Sequence, residues 1–335
     1  MKFGTFYLLE KPAGLSDQEV YRNSVEQCVV SDELGFDGVW LAEHRFTHYG
    51  ILPDTLLFGA HIAALTKKVR IGTAVTVLPF HHPIRLAEQI AMIDVLSNGR
   101  FDWGIGRGYQ AGEYAGFNIS MDESRARFTE VLDIVIGLLT HDRFSYEGQF
   151  FQVRDVSILP KPIQKPHPPI WMTVMRTPES FEFLAHRQYY LMSGNPYRMD
   201  PEFRQAFEMY KETLRRAGKS EAIDEAIAMI PTYLADDNEL AKAEPRASVE
   251  SFMAAFKEVG SPTAGGRPLS KDYARYAAED SARSGDYDTQ VEVNFLFGDP
   301  DHVIEKLKRF EELGIKYVIC CMNRGGAMEQ KNVLK

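Results

Sequence analysis

The sequence predicts an α/β protein with the architecture of a (β/α)8 TIM barrel, and three observations support this fold class. Apolar, β-rich runs alternate with amphipathic helical runs over nearly all of the 335 residues. The alternation contains eight strands, and strands that alternate with helices form parallel sheets. No Gly-x-Gly-x-x-Gly motif follows the first strand, which argues against the commonest dinucleotide-binding form of an open sheet. The closed barrel is therefore favoured over the open, doubly wound sheet, which is the alternative on pattern alone.

The first half of the chain contains four regular strand–helix units. The predicted strands span residues 2–9, 36–42, 69–78 and 101–106. The helices that follow them are predicted over residues 17–34, 54–65, 84–96 and 124–139. Ser16 is a suitable N-cap for the first helix, and Asn98-Gly99 marks the turn before the fourth strand.

The second half contains four more strands and two insertions. The strands are predicted at residues 170–174, 189–192, 226–234 and 316–322, and the helices at 178–186, 201–217 and 300–313. After strand four come a small hairpin or edge strand at 146–151 and an extended segment at 159–169, whose five prolines exclude a helix or a central strand. After strand seven, residues 236–292 are polar and rich in Gly, Pro and Ser, which is typical of an insertion. We predict one domain over residues 1–335, with a mobile loop at about 260–292.

Composition and charge exclude several classes of function. The net charge of −9 argues against nucleic acid or an anionic membrane as the main partner, so a phosphate-bearing ligand has to be held by a few local arginines. No run of about 18 apolar residues is present, and the N-terminal stretch does not have the pattern of a signal peptide. Three cysteines, two of them adjacent at Cys320 and Cys321, do not form a disulfide framework. We expect buried thiols and a reducing cytoplasm.

Polar residues follow several of the predicted strands, at the end of the barrel where active sites of this fold lie. Glu43, His44 and Arg45 end the second strand, and Arg107 follows the fourth between two glycines, which allow close approach of a ligand. Arg107, Arg125 and Arg176, with the hydroxyls of Thr177 and Ser180, are able to converge on one phosphate dianion. Helix N-termini near Ser124 and Pro178 would add favourable dipoles.

Other interpretations of these residues were weighed. A loop salt bridge is the alternative role for Glu43 and His44. A metal site is disfavoured, because His44 and His48 lie in a loop rather than in a His-Glu-x-x-His helix. His81 and His82 precede Pro83, where a helix start is expected. The chain has neither a Gly-x-Ser-x-Gly elbow nor a Walker-type loop, which excludes serine-hydrolase and P-loop interpretations.

Several motifs of this sequence resemble those of the bacterial luciferase-like flavin-dependent monooxygenase family and occur in the same order as in that family. They are most similar to the motifs of the luciferase α subunit. The resemblance is densest at WLAEHRFT (residues 40–47), at residues 72–78, at HPIRLAE (82–88) and at LSNGRFDWGIGRG (96–108). It extends through the proline-rich approach to Ile170-Trp171 and through residues 314–321. It therefore covers nearly the whole chain.

The resemblance implies a barrel that uses O2 and FMNH2, the latter supplied by a separate flavin reductase, to oxygenate a small organic substrate through a flavin C4a-hydroperoxide. It implies that His44 is the catalytic histidine, a general base or a stabiliser of the intermediate. It further implies a non-prolyl cis peptide at Ala74-Val75 beneath the flavin ring, and a homodimer. The implied cofactor-binding positions are Ala74, Val75, Gly106, Arg107, Arg125, Met175, Arg176, Thr177, Ser180 and Ser193. The implied substrate-pocket positions are Glu43, Arg45, Tyr109 and Gly194.

Three departures from the luciferase pattern narrow the expected activity. Gly106 stands where luciferase has a reactive cysteine, Arg45 replaces a histidine, and Gly194 replaces a tryptophan near the flavin. We therefore expect oxygenation of a compound other than a long-chain aldehyde, without light. Two alternatives are an F420-dependent oxidoreductase of the same fold and a non-catalytic flavin-binding subunit. The presence of both His44 and Arg107 argues against the second.

Overall fold

The computed structural model of the chain describes residues 1–174, 178–193, 201–259 and 286–334, with the backbone alone for 201–203. Its strands in chain order are β1 (Lys2–Tyr7), β2 (Gly38–Leu41), β3 (Arg70–Thr73), β4 (Thr76–Val77), β5 (Phe101–Gly106), β6 (Phe144–Glu147), β7 (Gln152–Val156), β8 (Ile170–Thr173), β9 (Tyr190–Ser193), β10 (Ile227–Leu234), β11 (Leu296–Gly298) and β12 (Tyr317–Cys321). Seven of the eight predicted barrel strands form as single strands within two residues of their expected ends, and the third is divided.

Eight of these strands close into a parallel barrel. β1, β2, β3, β5, β8, β9, β10 and β12 pair in that order, and β12 pairs back to β1 in register, with Lys2 opposite Tyr317. Trp40, Trp171 and Tyr317 fill the interior, where the Trp40 indole N–H donates to the Tyr317 hydroxyl at 3.0 Å. The predicted (β/α)8 barrel is confirmed.

Helices surround the barrel. They are α1 (Asp17–Leu34), α2 (Thr55–Leu65), α3 (Pro83–Leu96), α4 (Ala111–Gly116), α5 (Ser124–Thr140), α6 (Pro178–Arg187), α7 (Pro201–Arg216), α8 (Glu221–Asp224), α9 (Asn238–Ala243), α10 (Arg246–Val259), α11 (Tyr287–Asn294), α12 (Pro300–Glu312) and α13 (Gln330–Val333). Ser16 caps α1 as predicted, in a capping box with Glu19. Among the described residues, no helix is both long and apolar enough to cross a membrane.

The third predicted strand is not continuous, which corrects the expectation for residues 69–78. A cis peptide joins Ala74 and Val75 between β3 and β4, at the position that the resemblance implied. The Thr73 hydroxyl donates to the Gly104 carbonyl at 2.7 Å and accepts the Gly104 N–H at 2.9 Å. The Thr73 hydroxyl thus satisfies the backbone groups of Gly104 in β5 at the point where the β3 backbone diverges. A Val- and Thr-rich sequence gives no sign that a side chain takes this role.

The two insertions differ in how far the structure describes them. The first contains an antiparallel β6–β7 hairpin, whose turn lies where the hairpin was predicted. The second contains α9, α10 and α11, and β11 pairs with β10. Of the predicted mobile loop at 260–292, residues 260–285 lie outside the described residues, and Asp286 caps α11, so the last residues are helical. The single-domain assignment for 1–335 stays a prediction.

All three cysteines are free and buried. Cys320 packs in the main core between the barrel and its helices, and its neighbour Cys321 is 4% exposed. Burial raises the pKa of both thiols, that of Cys320 to about 11 and that of Cys321 to about 12. These cysteines are packing groups, as the sequence predicted.

Candidate active site

His44 follows β2 at the carboxyl end of the barrel, where two polar side chains contact one of its ring nitrogens. Its Nδ1 lies 3.1 Å from Oε1 of Glu113 and 3.0 Å from Nε2 of Gln110. Nδ1 thus has a partner that accepts and a partner that donates, so the network supports either tautomer. Within the parts of the chain described, no hydrogen bond reaches Nε2. The imidazole is arranged to take up or release a proton at Nε2.

Glu113 fixes this arrangement from the short helix α4. Its Oε1 also accepts the backbone N–H of Arg45 at 3.0 Å, whereas Oε2 is buried without a hydrogen-bond partner. Glu113 is 1% exposed, and a buried carboxylate is stable only where donors or cations face it. Glu113 therefore orients the His44 ring and ties it to the Arg45 backbone.

Aromatic side chains line the same region. The ring centroids of Tyr49 and Tyr109 lie 5.0 and 5.6 Å from that of His44, both edge-on. The Tyr109 hydroxyl donates to the Tyr49 hydroxyl at 2.8 Å. Tyr49 in turn packs near Phe252 and Phe256 of α10, with ring centroids 5.7 and 6.0 Å away. The structure therefore brings Tyr109, a predicted substrate-pocket residue, to His44.

Glu43 and Arg45 flank His44 in the chain but contact a different set of residues. The Glu43 carboxylate bonds to the Arg45 guanidinium, to the Val77 N–H at 3.0 Å and to Nε2 of His81 at 3.0 Å. Burial alone would raise the pKa of Glu43, but His81 and Arg45 outweigh it and hold that pKa below its usual value. Burial would lower the pKa of His81, but the Glu43 carboxylate outweighs burial and raises it. Glu43 and His81 form an ion pair.

Arg45 completes this buried network. It donates to the Pro53 carbonyl at 2.6 Å, and its guanidinium lies 5.3 and 5.0 Å from the ring centroids of Phe80 and Phe117. The side chains of Glu43 and Arg45 are 0% and 8% exposed. The predicted salt-bridge alternative for Glu43 is thus realised, and the substrate-pocket role of these two residues stays a prediction.

Ala74, Val75 and Gly106 meet at the carboxyl end of the barrel interior. Ala74 and Val75 pack against the interior cluster that contains Trp40 and Trp171. A Cβ on Gly106 would lie 2.5 Å from Cγ2 of Val75. Any side chain at position 106 would collide with Val75, which explains in physical terms why this position is a glycine.

The predicted phosphate-binding residues are only partly described. Arg107 follows β5 and is partly exposed, and its carbonyl accepts the Tyr114 hydroxyl. Gly108, the next residue, has φ +73°, which favours glycine. Arg125 is exposed in the first turn of α5, and α5 and α6 begin at Ser124 and Pro178 as predicted.

The remaining predicted positions are at or near the later strands. Ser180 lies in the first turn of α6, and Ser193 is the last residue of β9, with 2% exposure. Met175, Arg176, Thr177 and Gly194 lie outside the described residues. Among the described residues, no group of three or more His, Cys, Asp or Glu side chains is placed to hold a metal ion.

Sequence reasoning missed four residues of the site: Tyr49, His81 in its role as ion partner, Gln110 and Glu113. Glu113 lies in the six-residue helix α4 and Gln110 is its N-cap, a segment that was not predicted as helical. Gly112 and Gly116 weaken any helical pattern there. The only available signal was an acidic side chain shortly after a strand end.

Comparison with known proteins shows similarity over the whole chain. The family model described as Luciferase-like monooxygenase matches residues 1–317. The oxygenase component of a flavin-dependent trigonelline monooxygenase from Acinetobacter baylyi is 30% identical, over 99% of this chain and 91% of that protein. An alkanal monooxygenase alpha chain from Photobacterium leiognathi is 26% identical, over 98% of this chain and 94% of that protein. Another relative, from Sinorhizobium fredii, is 42% identical, but the chain spans only 49% of its length.

Solved structures show the same fold. A monooxygenase from Streptomyces bottropensis has a TM-score of 0.84 and 30% identity, covering 100% of this chain and 95% of that one. The oxygenating constituent of 3,6-diketocamphane monooxygenase from Pseudomonas putida, solved with FMN, has a TM-score of 0.80 and 20% identity, covering 100% and 96%. An F420-dependent secondary alcohol dehydrogenase has a TM-score of 0.71 and 19% identity, covering 100% and 99%.

Proposed function

The chain belongs to the luciferase-like monooxygenase family, and we propose that it uses FMNH2 and O2 to oxygenate a small organic substrate. The observation that carries this proposal is the placement of His44. It lies at the carboxyl end of the barrel, with Nδ1 tied to the buried Glu113 and with Tyr49 and Tyr109 around its ring. A non-catalytic subunit has no need of such a buried acid–imidazole pair.

The described residues fit a flavin phosphate. Ala74 and Val75 lie at the carboxyl end of the barrel interior, and Arg107, after β5, and Arg125, in the first turn of α5, are the proposed guanidinium donors to the phosphate. When bound, reduced flavin would supply the two electrons that activate O2. Met175, Arg176, Thr177, Ser180 and Ser193 stay proposed cofactor contacts by family resemblance.

The protein's own residues have three roles in this proposal. His44 holds or moves a proton at Nε2, and Glu113 keeps the ring oriented through its contact with Nδ1. The rings of Tyr49, Tyr109, Phe252 and Phe256 exclude water from the region beside it. Glu43 and Arg45, with His81, stabilise the loop that carries His44. Glu43 and Arg45 are also proposed to shape the substrate pocket, and Gly194 is a further proposed pocket residue.

FMN is preferred to F420 because the relatives that cover the whole chain at 30% identity are monooxygenases. The relative from Acinetobacter baylyi is an oxygenase component, so we propose a separate flavin reductase as partner and a reducing cytoplasm as the setting. Trigonelline is a pyridinium carboxylate, which makes ring-containing acids a substrate class to examine.

Equilibrium titration with FMN and with F420 tests the cofactor assignment. We expect tight binding of FMN, and Arg107→Ala to weaken it by about tenfold to hundredfold through loss of a charge-assisted hydrogen bond. Arg143→Ala is the matched control, because Arg143 directly precedes β6 and pairs with Asp155 of β7, away from the strand ends that carry Arg107 and His44. Tighter binding of F420 than of FMN, or an unchanged FMN affinity in Arg107→Ala, would contradict the assignment.

A homodimer through α2 and α3 is proposed from exposed apolar side chains. Leu57 of α2 and Met92 and Leu96 of α3 are 72%, 50% and 61% exposed. Large exposed apolar side chains on neighbouring helices are a reason to test for an interface. Light scattering should show a dimer that Leu57→Asp with Leu96→Asp dissociates, whereas Ile163→Asp in the proline-rich segment leaves it intact. A monomeric wild type would contradict the proposal.

A further inference from the structure

Arg324 is a largely buried guanidinium with few partners among the described residues. It follows β12 by three residues, at the same end of the barrel as His44, and its side chain is 14% exposed. Its Cζ lies 3.7 Å from the ring centroid of Phe252 and 6.0 Å from that of Phe6. Its Nε is buried without a hydrogen-bond partner.

The nearest anion only partly compensates this charge. The Glu10 carboxylate lies 3.8 Å from Nη1 of Arg324, beyond hydrogen-bond distance, and its Oε1 accepts the Gly325 N–H at 3.2 Å instead. Burial raises the pKa of Glu10, although Arg324 acts to lower it. No side-chain hydrogen bond from Arg324 to another described residue is present. Buried guanidinium groups are ordinarily satisfied by several acceptors, so this one has room for an additional acceptor.

An aromatic wall connects Arg324 to His44. Phe252 lies beneath the guanidinium and packs near Tyr49, which packs against the His44 ring. Burial raises the pKa of Tyr49 to about 12, while the Arg324 charge acts to lower it, which reflects their proximity. Phe252 and Tyr49 therefore link the guanidinium to the imidazole through successive ring contacts.

We propose that Arg324 binds the carboxylate of a small ring-containing acid and thereby orients the substrate toward His44. Guanidinium presents paired N–H donors that match a carboxylate, and the Phe252 face beneath it keeps the fork in place. The proposal rests on the proposed oxygenase function and names its substrate class. Arg324 acts as a specificity-determining residue, without part in the proton transfer at His44.

Paired probes that differ only in the acid group test the proposal. Nicotinate with nicotinamide, and trigonelline with 1-methylnicotinamide, are titrated into the FMN-loaded protein by calorimetry. We expect each acid to bind at least tenfold more tightly than its amide. Arg324→Gln should weaken acid binding by about tenfold to hundredfold and leave amide binding unchanged. Arg143→Gln, an exposed arginine in the β6–β7 hairpin, should change neither.

Several results would overturn the proposal. Equal binding of acid and amide to the wild type, or no binding of either pair, would exclude the substrate class. If Arg324→Gln lowers FMN affinity and leaves the acid-to-amide ratio unchanged, the guanidinium holds the flavin instead. FMN binding is measured separately. A failure of the oxygenase proposal therefore appears as absence of FMN binding by the wild type, and a failure of the Arg324 proposal appears as an acid-to-amide affinity ratio that Arg324→Gln does not change.

A second variant keeps the test informative if Arg324→Gln does not fold. Glu10→Gln is close in size and removes the anion that competes for the guanidinium. We expect it to raise acid affinity by about threefold to tenfold without changing amide affinity. A purely structural Glu10–Arg324 pair predicts the opposite, a loss of stability with no gain in acid binding.

Discussion

Arg45 is buried and Arg324 is largely buried at the same end of the barrel, and the surroundings of the two guanidinium groups differ in one decisive respect. Both guanidinium groups lie over phenylalanine rings, and each has one buried nitrogen without a hydrogen-bond partner. Arg45, however, donates to Glu43 and to the Pro53 carbonyl, whereas the nearest carboxylate to Arg324 among the described residues is 3.8 Å away. The first arginine is held by its own fold, and the second is available to a ligand.

The comparison changes how charged residues at a strand end are interpreted. The family resemblance implied a substrate-pocket position for Arg45, and no pattern in the sequence gave a reason to consider Arg324. The number of acceptors around each guanidinium separates a role in the fold from a role in ligand binding. A guanidinium that donates to several acceptors stabilises the fold, whereas one with unpaired donors and no close acceptor is able to bind an additional one.

The largest expected effect is on folding, from breaking the Arg45 network. Arg45→Met should lower the free energy of unfolding by about 3 kcal/mol, the lower end for breaking a buried ion pair, since His81 still pairs with Glu43. Urea denaturation measures this loss. The exposed Arg143→Met is the control, with a change of about 0.5 kcal/mol or less. A loss below about 1 kcal/mol for Arg45→Met would show that Arg45 contributes no more to stability than Arg324 does, and would contradict the proposed difference between the two arginines.

The corresponding change at Arg324 should be smaller in stability. Arg324→Met keeps the apolar stem over Phe252 and loses only the distant pairing with Glu10, so we expect about 1 kcal/mol. The same urea experiment measures it. A loss as large as that of Arg45→Met would show that Arg324 supports the fold.

The smallest effect is a pH dependence confined to the Glu43–His81 pair. Folding raises the pKa of His81, so the stability it contributes is complete below its usual value of 6.5 and is lost as pH rises through the raised value. Folding lowers the pKa of Glu43, so its contribution is present above its usual value of 4.5 and is lost only in more acidic solution. The stability difference between wild type and His81→Asn should therefore be largest between these values and shrink toward pH 9. A difference that grows with pH would contradict the ion pair.

The sequence predicted the barrel well because each strand and helix has its own local pattern. Ser16 at a helix start and Asn98-Gly99 at a turn are local signals that need no knowledge of the fold. The break at Ala74-Val75 had no local signal, since Val and Thr favour an uninterrupted strand. It was expected only through resemblance to a known family.

The candidate site was predictable where residues follow strand ends, and not where the fold alone unites distant segments. His44 and Arg107 were found because parallel strands end at one face. Glu113 lies on a helix too short for periodicity to reveal. Glu10, Phe252 and Arg324 come from three separate parts of the chain, and no spacing in the sequence relates them.

The reaction of the FMNH2-loaded protein with O2, followed by stopped-flow absorbance, tests the oxygenase function most directly. We predict a transient species whose spectrum differs from those of both oxidised and reduced FMN. Its yield or its coupling to substrate should fall by about a hundredfold in His44→Ala and by less in Glu113→Gln. Direct conversion of reduced to oxidised FMN in the wild type, or a His44→Ala trace identical to that of the wild type, would contradict it.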